Sequence, residues 1–178
     1  MCLDVIEYKG KKYKRYSSKW SDEKNFVVHE TLQRELNYEY VKTLNLASMS
    51  AQELISQGDK FKESATYQLA VRYYEEASVK CEIKDMAYIL PRITSCYRKS
   101  NQASKAIEMF SYAKQKFGTA ILTAPLLTSA AAAYCDLGEY DNAKKCCDRA
   151  YAMSGATADD ELRLVYKRID KETGYTKK

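Results

Sequence analysis

Histidine, tryptophan, proline and glycine are scarce in this chain of 178 residues, which holds one His, one Trp, two Pro and six Gly. Each shortage removes a class of reading. A β-sandwich or barrel built on many tight turns needs far more Gly and Pro than this. One histidine, His29, leaves no His cluster for a metal and a single imidazole to serve as a base. His29 falls near the start of a predicted surface helix and reads as an exposed or capping residue. There is no glycine-rich phosphate loop. The acidic stretches "DEK" and "ADDE" read as solvated helix starts. No apolar run approaches the roughly 20 residues of a membrane span. The opening "MCLDVIEYKGKK" lacks a signal-peptide core. These absences predict a soluble cytoplasmic protein that is not an enzyme, holds no metal or cofactor and does not engage a membrane.

What is present is an ordinary hydrophobic content of 46%. At this length a fold buries roughly two-thirds of the unfolded chain's surface, so a core forms without disulfides. The six cysteines, Cys2, Cys81, Cys96, Cys135, Cys146 and Cys147, show no C-x-x-C spacing. They read as small apolar packing residues in a reducing compartment. Net charge is +5, and residues 9–19, "KGKKYKRYSSK", hold six Lys or Arg and no acid.

The chain repeats itself. Ala70, Tyr74 and Ala77 share a spacing with Ala106, Phe110 and Ala113, and with Ala143, Cys147 and Ala150. Nine residues before each first alanine stand Phe61, Tyr97 and Tyr134; further back come Gly58, Thr94 and Ala131, then Leu54, Leu90 and Leu127. The leucines recur at steps of 36 and 37 residues. Each copy reads as two amphipathic helices, the second with small residues at i and i+7 on one face. Alanine there lets helix axes approach, and the aromatic of the first helix fills the remaining space. Gly138 suits the end of a first helix, and Gly118 and Gly155 the ends of second helices.

This pattern resembles the tetratricopeptide repeat family over about residues 51–154. The resemblance implies an all-α fold, a right-handed α-α superhelix of about three helical hairpins. The copies fall at about 51–86, 87–123 and 124–157, within a helical domain at 29–178. Each is two or three residues longer than the family's usual 34, an insertion placed most simply after the second helix. Pro91 and Pro125 are expected in the first turn or so of first helices. Capping helices are expected at both ends. Leu32, Leu36, Tyr40 and Leu44 form the upstream stripe. Downstream, helix 158–172 carries Leu162, Val165, Tyr166 and Ile169, with Thr157 and Asp160 as a capping box. Ser50 and Glu53 make another box at the start of copy one.

Residues 1–28 form a basic arm, a small β-hairpin about Lys9-Gly10. An isolated hairpin is marginal, so either Trp20, Phe26 and Val27 dock it on the helices or it orders on binding.

The resemblance also implies a groove lined by first helices that grips a peptide or partner helix. Its candidates are Gln52, Ile55, Asp59 and Lys62; Tyr88, Arg92, Ser95 and Lys99; and Pro125, Thr128, Ala132 and Asp136. The family's carboxylate clamp needs asparagines on these helices, and residues 51–64, 87–100 and 124–137 contain none. Residues 87–100 also contain no acid, which makes the middle of the groove basic and favours an acidic partner. The expected function is a protein-interaction scaffold or adaptor. The alternative is nucleic-acid binding by the arm, through Lys11, Lys12, Tyr13, Lys14, Arg15 and Tyr16. Partner identity, pathway and oligomeric state are not written in the sequence.

Overall fold

The computed structural model describes residues 4–16, 19–43, 45–155 and 160–174. Cys2, Leu44 and Thr157 therefore lie outside the described residues. The chain forms two compact units, Met1–Ala77 and Ser78–Lys178.

The first unit opens with a three-stranded antiparallel sheet in the order β1 (Asp4–Tyr8), β2 (Lys11–Tyr16), β3 (Lys19–Ser21). The β1–β2 turn is Lys9-Gly10, with φ of 52° and 74° and Tyr8 opposite Lys11. Two positive φ values in a two-residue turn match the twist of the flanking strands. Helices α1 (Glu30–Thr43), α2 (Ala51–Glu63) and α3 (Tyr67–Lys80) follow, with a 3-10 turn at Leu46–Ser48 before α2. Ser50 and Glu53 form the expected capping box of α2. In α1, Leu36 is fully buried, and Leu32 and Tyr40 pack against the same cluster.

The sheet is docked, and Trp20 is what docks it. Its ring is fully buried, and its Nε1 donates to Asn37 Oδ1 of α1 at 2.8 Å. The Gln33 side chain pairs with the Trp20 backbone in both directions, at 2.8 and 2.7 Å. Phe26 and Val27 do not take part: they are 68% and 59% exposed. The side chain of Asp22 accepts from the backbone of Lys24 and Phe26, and this turn carries Phe26 outward.

The second unit is helical: α4 (Ile83–Lys99), α5 (Ala103–Phe117), α6 (Ala124–Asp136), α7 (Tyr140–Ser154) and α8 (Asp160–Thr173). A 3-10 turn at Gly118–Ile121 lies between α5 and α6, where the extra residues of copy two were expected. Helix α4 packs on α5 and α6, α6 on α5 and α7, and α8 on α6 and α7. No described helix is long and apolar enough to cross a membrane.

The repeat register governs burial in both units. Leu54, Leu90 and Leu127 are at most 2% exposed, and the six alanines of the second helices are fully buried. Gly58 is required by steric contact. A Cβ there would stand 2.6 Å from the Tyr74 ring, whose hydroxyl is fixed by donating to Asp59 Oδ1 at 2.6 Å.

Pro91 departs from expectation. Helix α4 begins at Ile83, so Pro91 lies inside the helix and not in its first turn. The connection from α3 is short, and the extra residues of copy one are absorbed into α4 as about one additional N-terminal turn. Pro125 does sit at the start of α6.

All three first helices end on one turn. Ala65, Asn101 and Gly138 have φ of 57°, 61° and 76°. Just after each, the backbone N–H of Thr66, Gln102 or Glu139 donates to the carbonyl of Phe61, Tyr97 or Tyr134 at 2.8–2.9 Å. This is the Schellman closure, which satisfies a carbonyl left over at the helix end.

Candidate functional site

In the second unit, the residues predicted to face a partner divide into an open set and a closed set. On α4, Lys99 is exposed, Tyr88 is 43% exposed and Arg92 is half-buried. On α6, Pro125 and Asp136 are exposed. Ser95, Thr128 and Ala132 are instead buried, at 7%, 2% and 3% exposure. Two physical reasons apply. Following the leucine register, Thr128 aligns with Pro91, which is also buried, and not with Arg92. Ala132 shares one apolar cluster with Leu162, Val165 and Ile169 of α8, so the terminal helix covers that part of α6.

In the first unit Gln52 is exposed, whereas Ile55 is 8% exposed. Ile55 directly follows Leu54 and holds the place in copy one that Pro91 and Thr128 hold in the others. Asp59 is engaged by Tyr74, and Lys62 is half-buried.

The open α4 row has internal order. The Arg92 guanidinium carbon stands 3.3 Å from the Tyr88 ring centroid, and its Nη1 donates to the Tyr88 carbonyl at 3.0 Å. A cation stacked on a ring one helical turn away is held in place by charge–quadrupole attraction and by one hydrogen bond. Lys99 stands two turns further along the helix.

A charged network that the sequence did not point to borders this row. Arg98 of α4 donates to Glu161 of α8 at 2.8 Å and stands 3.8 Å from Asp136 of α6. Arg168 of α8 donates to the Asp136 side chain and to the Cys135 carbonyl. These partners are separated by 32 to 63 residues, and no spacing rule joins positions so far apart.

The basic run of the first unit is also divided. Tyr13 and Arg15 are buried, at 7% and 5% exposure, which removes them from any open nucleic-acid surface. Alternation along a strand is the cause. Arg15 Nε donates to Asp4 Oδ2 at 2.8 Å, and its guanidinium lies 4.6 Å from the Tyr40 ring and 5.1 Å from Phe61. Tyr40 donates to the other oxygen of Asp4 at 2.8 Å. Burial first, and that hydrogen bond second, push the Tyr40 hydroxyl up from its ordinary value. Lys11 and Lys12 remain exposed, and Lys14 and Tyr16 half-exposed.

No chemistry converges elsewhere among the described residues. His29 Nδ1 accepts from the Leu32 backbone at 3.4 Å as a helix cap. Among the described residues, no group of three or more His, Cys, Asp or Glu could hold a metal. The described cysteines are unbonded thiols; all but Cys81 are buried, and burial pushes Cys147 up to about 12.

No protein-family model matches the chain, and no curated protein matches it by sequence. Solved structures do match. The Sgt2 TPR domain from Aspergillus fumigatus superposes with a TM-score of 0.61 at 18% identity, over 71% of this chain and 83% of that one. The chain has the tetratricopeptide-repeat fold. A second tetratricopeptide structure, the first TPR of Spaghetti (RPAP3) bound to the HSP90 peptide SRMEEVD, matches at 0.58 and 16% identity, over 70% of this chain and 94% of that one. PcrH in complex with the chaperone binding region of PopB matches at 0.54 and 16% identity, over 70% and 97%. Identities this low speak for the fold alone. In a tetratricopeptide frame α4 and α6 are the first helices of the second unit, and α8 is its terminal cap.

Proposed function

We propose that this chain is a non-enzymatic protein-interaction module, and that it holds an acidic segment of a partner protein on the α4 face of its second unit. The stacked Tyr88–Arg92 pair carries the reading. A guanidinium already held on a ring loses little freedom when it takes a carboxylate, and Arg offers that carboxylate a two-pronged donor. Lys99 adds a second positive charge on the same helix. The similarity to structures solved with a bound peptide or partner segment supports a protein partner. The absence of asparagine from the first helices argues against the HSP90-type clamp.

The test is charge reversal. Arg92→Glu with Lys99→Glu should abolish capture of acidic peptides from an immobilised array while leaving helicity intact, because neither residue belongs to the apolar core. The same reversal at Lys105 and Lys116, exposed on α5, should leave capture largely unchanged. If the α5 pair matters and the α4 pair does not, partners use another face and this reading fails.

A further inference from the structure

We propose that the outer face of the N-terminal sheet is a second binding surface, and that it takes single-stranded nucleic acid. The argument begins with register. Tyr13, Arg15 and Trp20 point inward, so Lys12, Lys14 and Tyr16 of β2 share the opposite face. The pairings Lys14↔Ser21 and Tyr16↔Lys19 place Lys19 on that face too. Val5, opposite Lys14, and Val27, opposite Ser21, complete a row across the sheet, 60% and 59% exposed. Among the described residues, none of Lys12, Lys14 and Lys19 enters an ion pair. The inward arginine is neutralised by Asp4, whereas these outward lysines keep their charge for something outside the unit.

The arrangement selects among polyanions. Lys12, Lys14 and Tyr16 follow one strand at about 7 Å intervals, with Lys19 on the next strand about 5 Å away. Tyr16 puts an aromatic ring between two cations, and its hydroxyl is anchored by donating to Asn25 Oδ1 at 3.1 Å. Lysines beside an anchored ring on a sheet suit a strand whose phosphates meet the cations while a base stacks on the ring. A bilayer is a poorer fit. It would press on the whole face at once, including Glu7 opposite Lys12, whereas a threading strand can pass that carboxylate by.

The experiment uses the full chain and a fluorescently labelled 20-nucleotide poly(U) RNA, followed by anisotropy across a salt series. Lys12→Ser, Lys14→Ser and Lys19→Ser together should reduce the slope of log affinity against log salt by about 2, since each phosphate contact to a single strand contributes about 0.7. A control triple at Lys145, Lys167 and Lys171 removes equal charge from the second unit and should leave the slope within a few tenths. Tyr16→Ala should weaken binding roughly ten-fold, and Tyr16→Phe should weaken it little. Thermal melts that match wild type establish that the variants fold. The proposal is overturned if wild type shows no salt-sensitive binding, if both triples behave alike, or if anionic vesicles are bound through these lysines and RNA is not. None of these results bears on the α4 face, where the protein partner is placed.

Discussion

The two units bury their cores with opposite chemistry. The second is assembled mainly from alanines, leucines and thiols, and the polar groups buried beside them, on Thr94, Ser95, Thr128 and Ser129, are small uncharged hydroxyls. The first closes around Trp20, Tyr13, Tyr73 and Tyr74 with a buried arginine among them, and Trp20, Tyr74 and Arg15 each donate to a polar partner, Asn37, Asp59 and Asp4. Small residues specify contact by shape alone. A sheet laid on a helix brings backbone and indole N–H groups inside, and these must be matched one by one.

That contrast can be broken most forcefully in the second unit. Ala106→Glu should cost about 3–5 kcal/mol, because a carboxylate would be buried without a partner at a helix contact. Glu108→Ala, two residues on and exposed, should be near neutral; urea melts followed by circular dichroism compare the two. In the first unit, Arg15→Ala should cost about 2 kcal/mol. The figure sits below the 3–5 typical of a broken buried pair because Asp4 keeps 25% side-chain exposure. Trp20 fluorescence reports this loss selectively, as it is the chain's sole tryptophan.

The repeat position shared by Gly58, Thr94 and Ala131 sharpens the comparison further. Gly58→Ala should cost about 1–2 kcal/mol through overpacking against Tyr74. Thr94→Val should be neutral or gain about 1 kcal/mol, since the buried Thr94 hydroxyl has no hydrogen-bond partner. At the helix-ending turns, Gly138→Ala should cost about 1 kcal/mol and Ala65→Gly should gain slightly less, because both positions have positive φ. Chemical melts resolve both signs.

The smallest expected effect is a pH dependence confined to the first unit. Hydrogen bonds first from Tyr8 and then from Lys9 hold the Glu35 carboxyl below its ordinary 4.5. A carboxyl depressed by folding stabilises the fold above its unfolded value, and that stability is lost as pH falls from about 4.5 through the folded value. Glu35→Gln should flatten this part of the acid limb in a Trp20 fluorescence titration. An unchanged limb would mean that Glu35 does not help to hold the sheet on α1.

The helices and their packing faces were legible because alanine at i and i+7 has one mechanical meaning, and three copies in register repeat it. The hairpin was legible at Lys9-Gly10 for the same kind of reason. The exposure of the candidate residues was legible only where it depends on a side chain's own helix, as at Tyr88 and Lys99. It was misread where a distant segment intervenes. Ala132 is covered by α8, and Asp136, though exposed as expected, is already paired with arginines on two other helices. Pro91 misled for a local reason: proline is usual at a helix start, and only the short α3–α4 connection shows that the start lies two turns earlier.

The turn that closes each first helix is spelled three ways, as Ser64-Ala65-Thr66, Ser100-Asn101-Gln102 and Leu137-Gly138-Glu139. Its left-handed φ, 57–76°, and its hydrogen bond nonetheless recur in all three. What the copies hold in common at this point is a torsion and not a residue. Substitution can therefore rewrite the letters of the turn while the pitch of the chain persists, and the kinship of the copies survives most plainly in a quantity that comparing letters does not record.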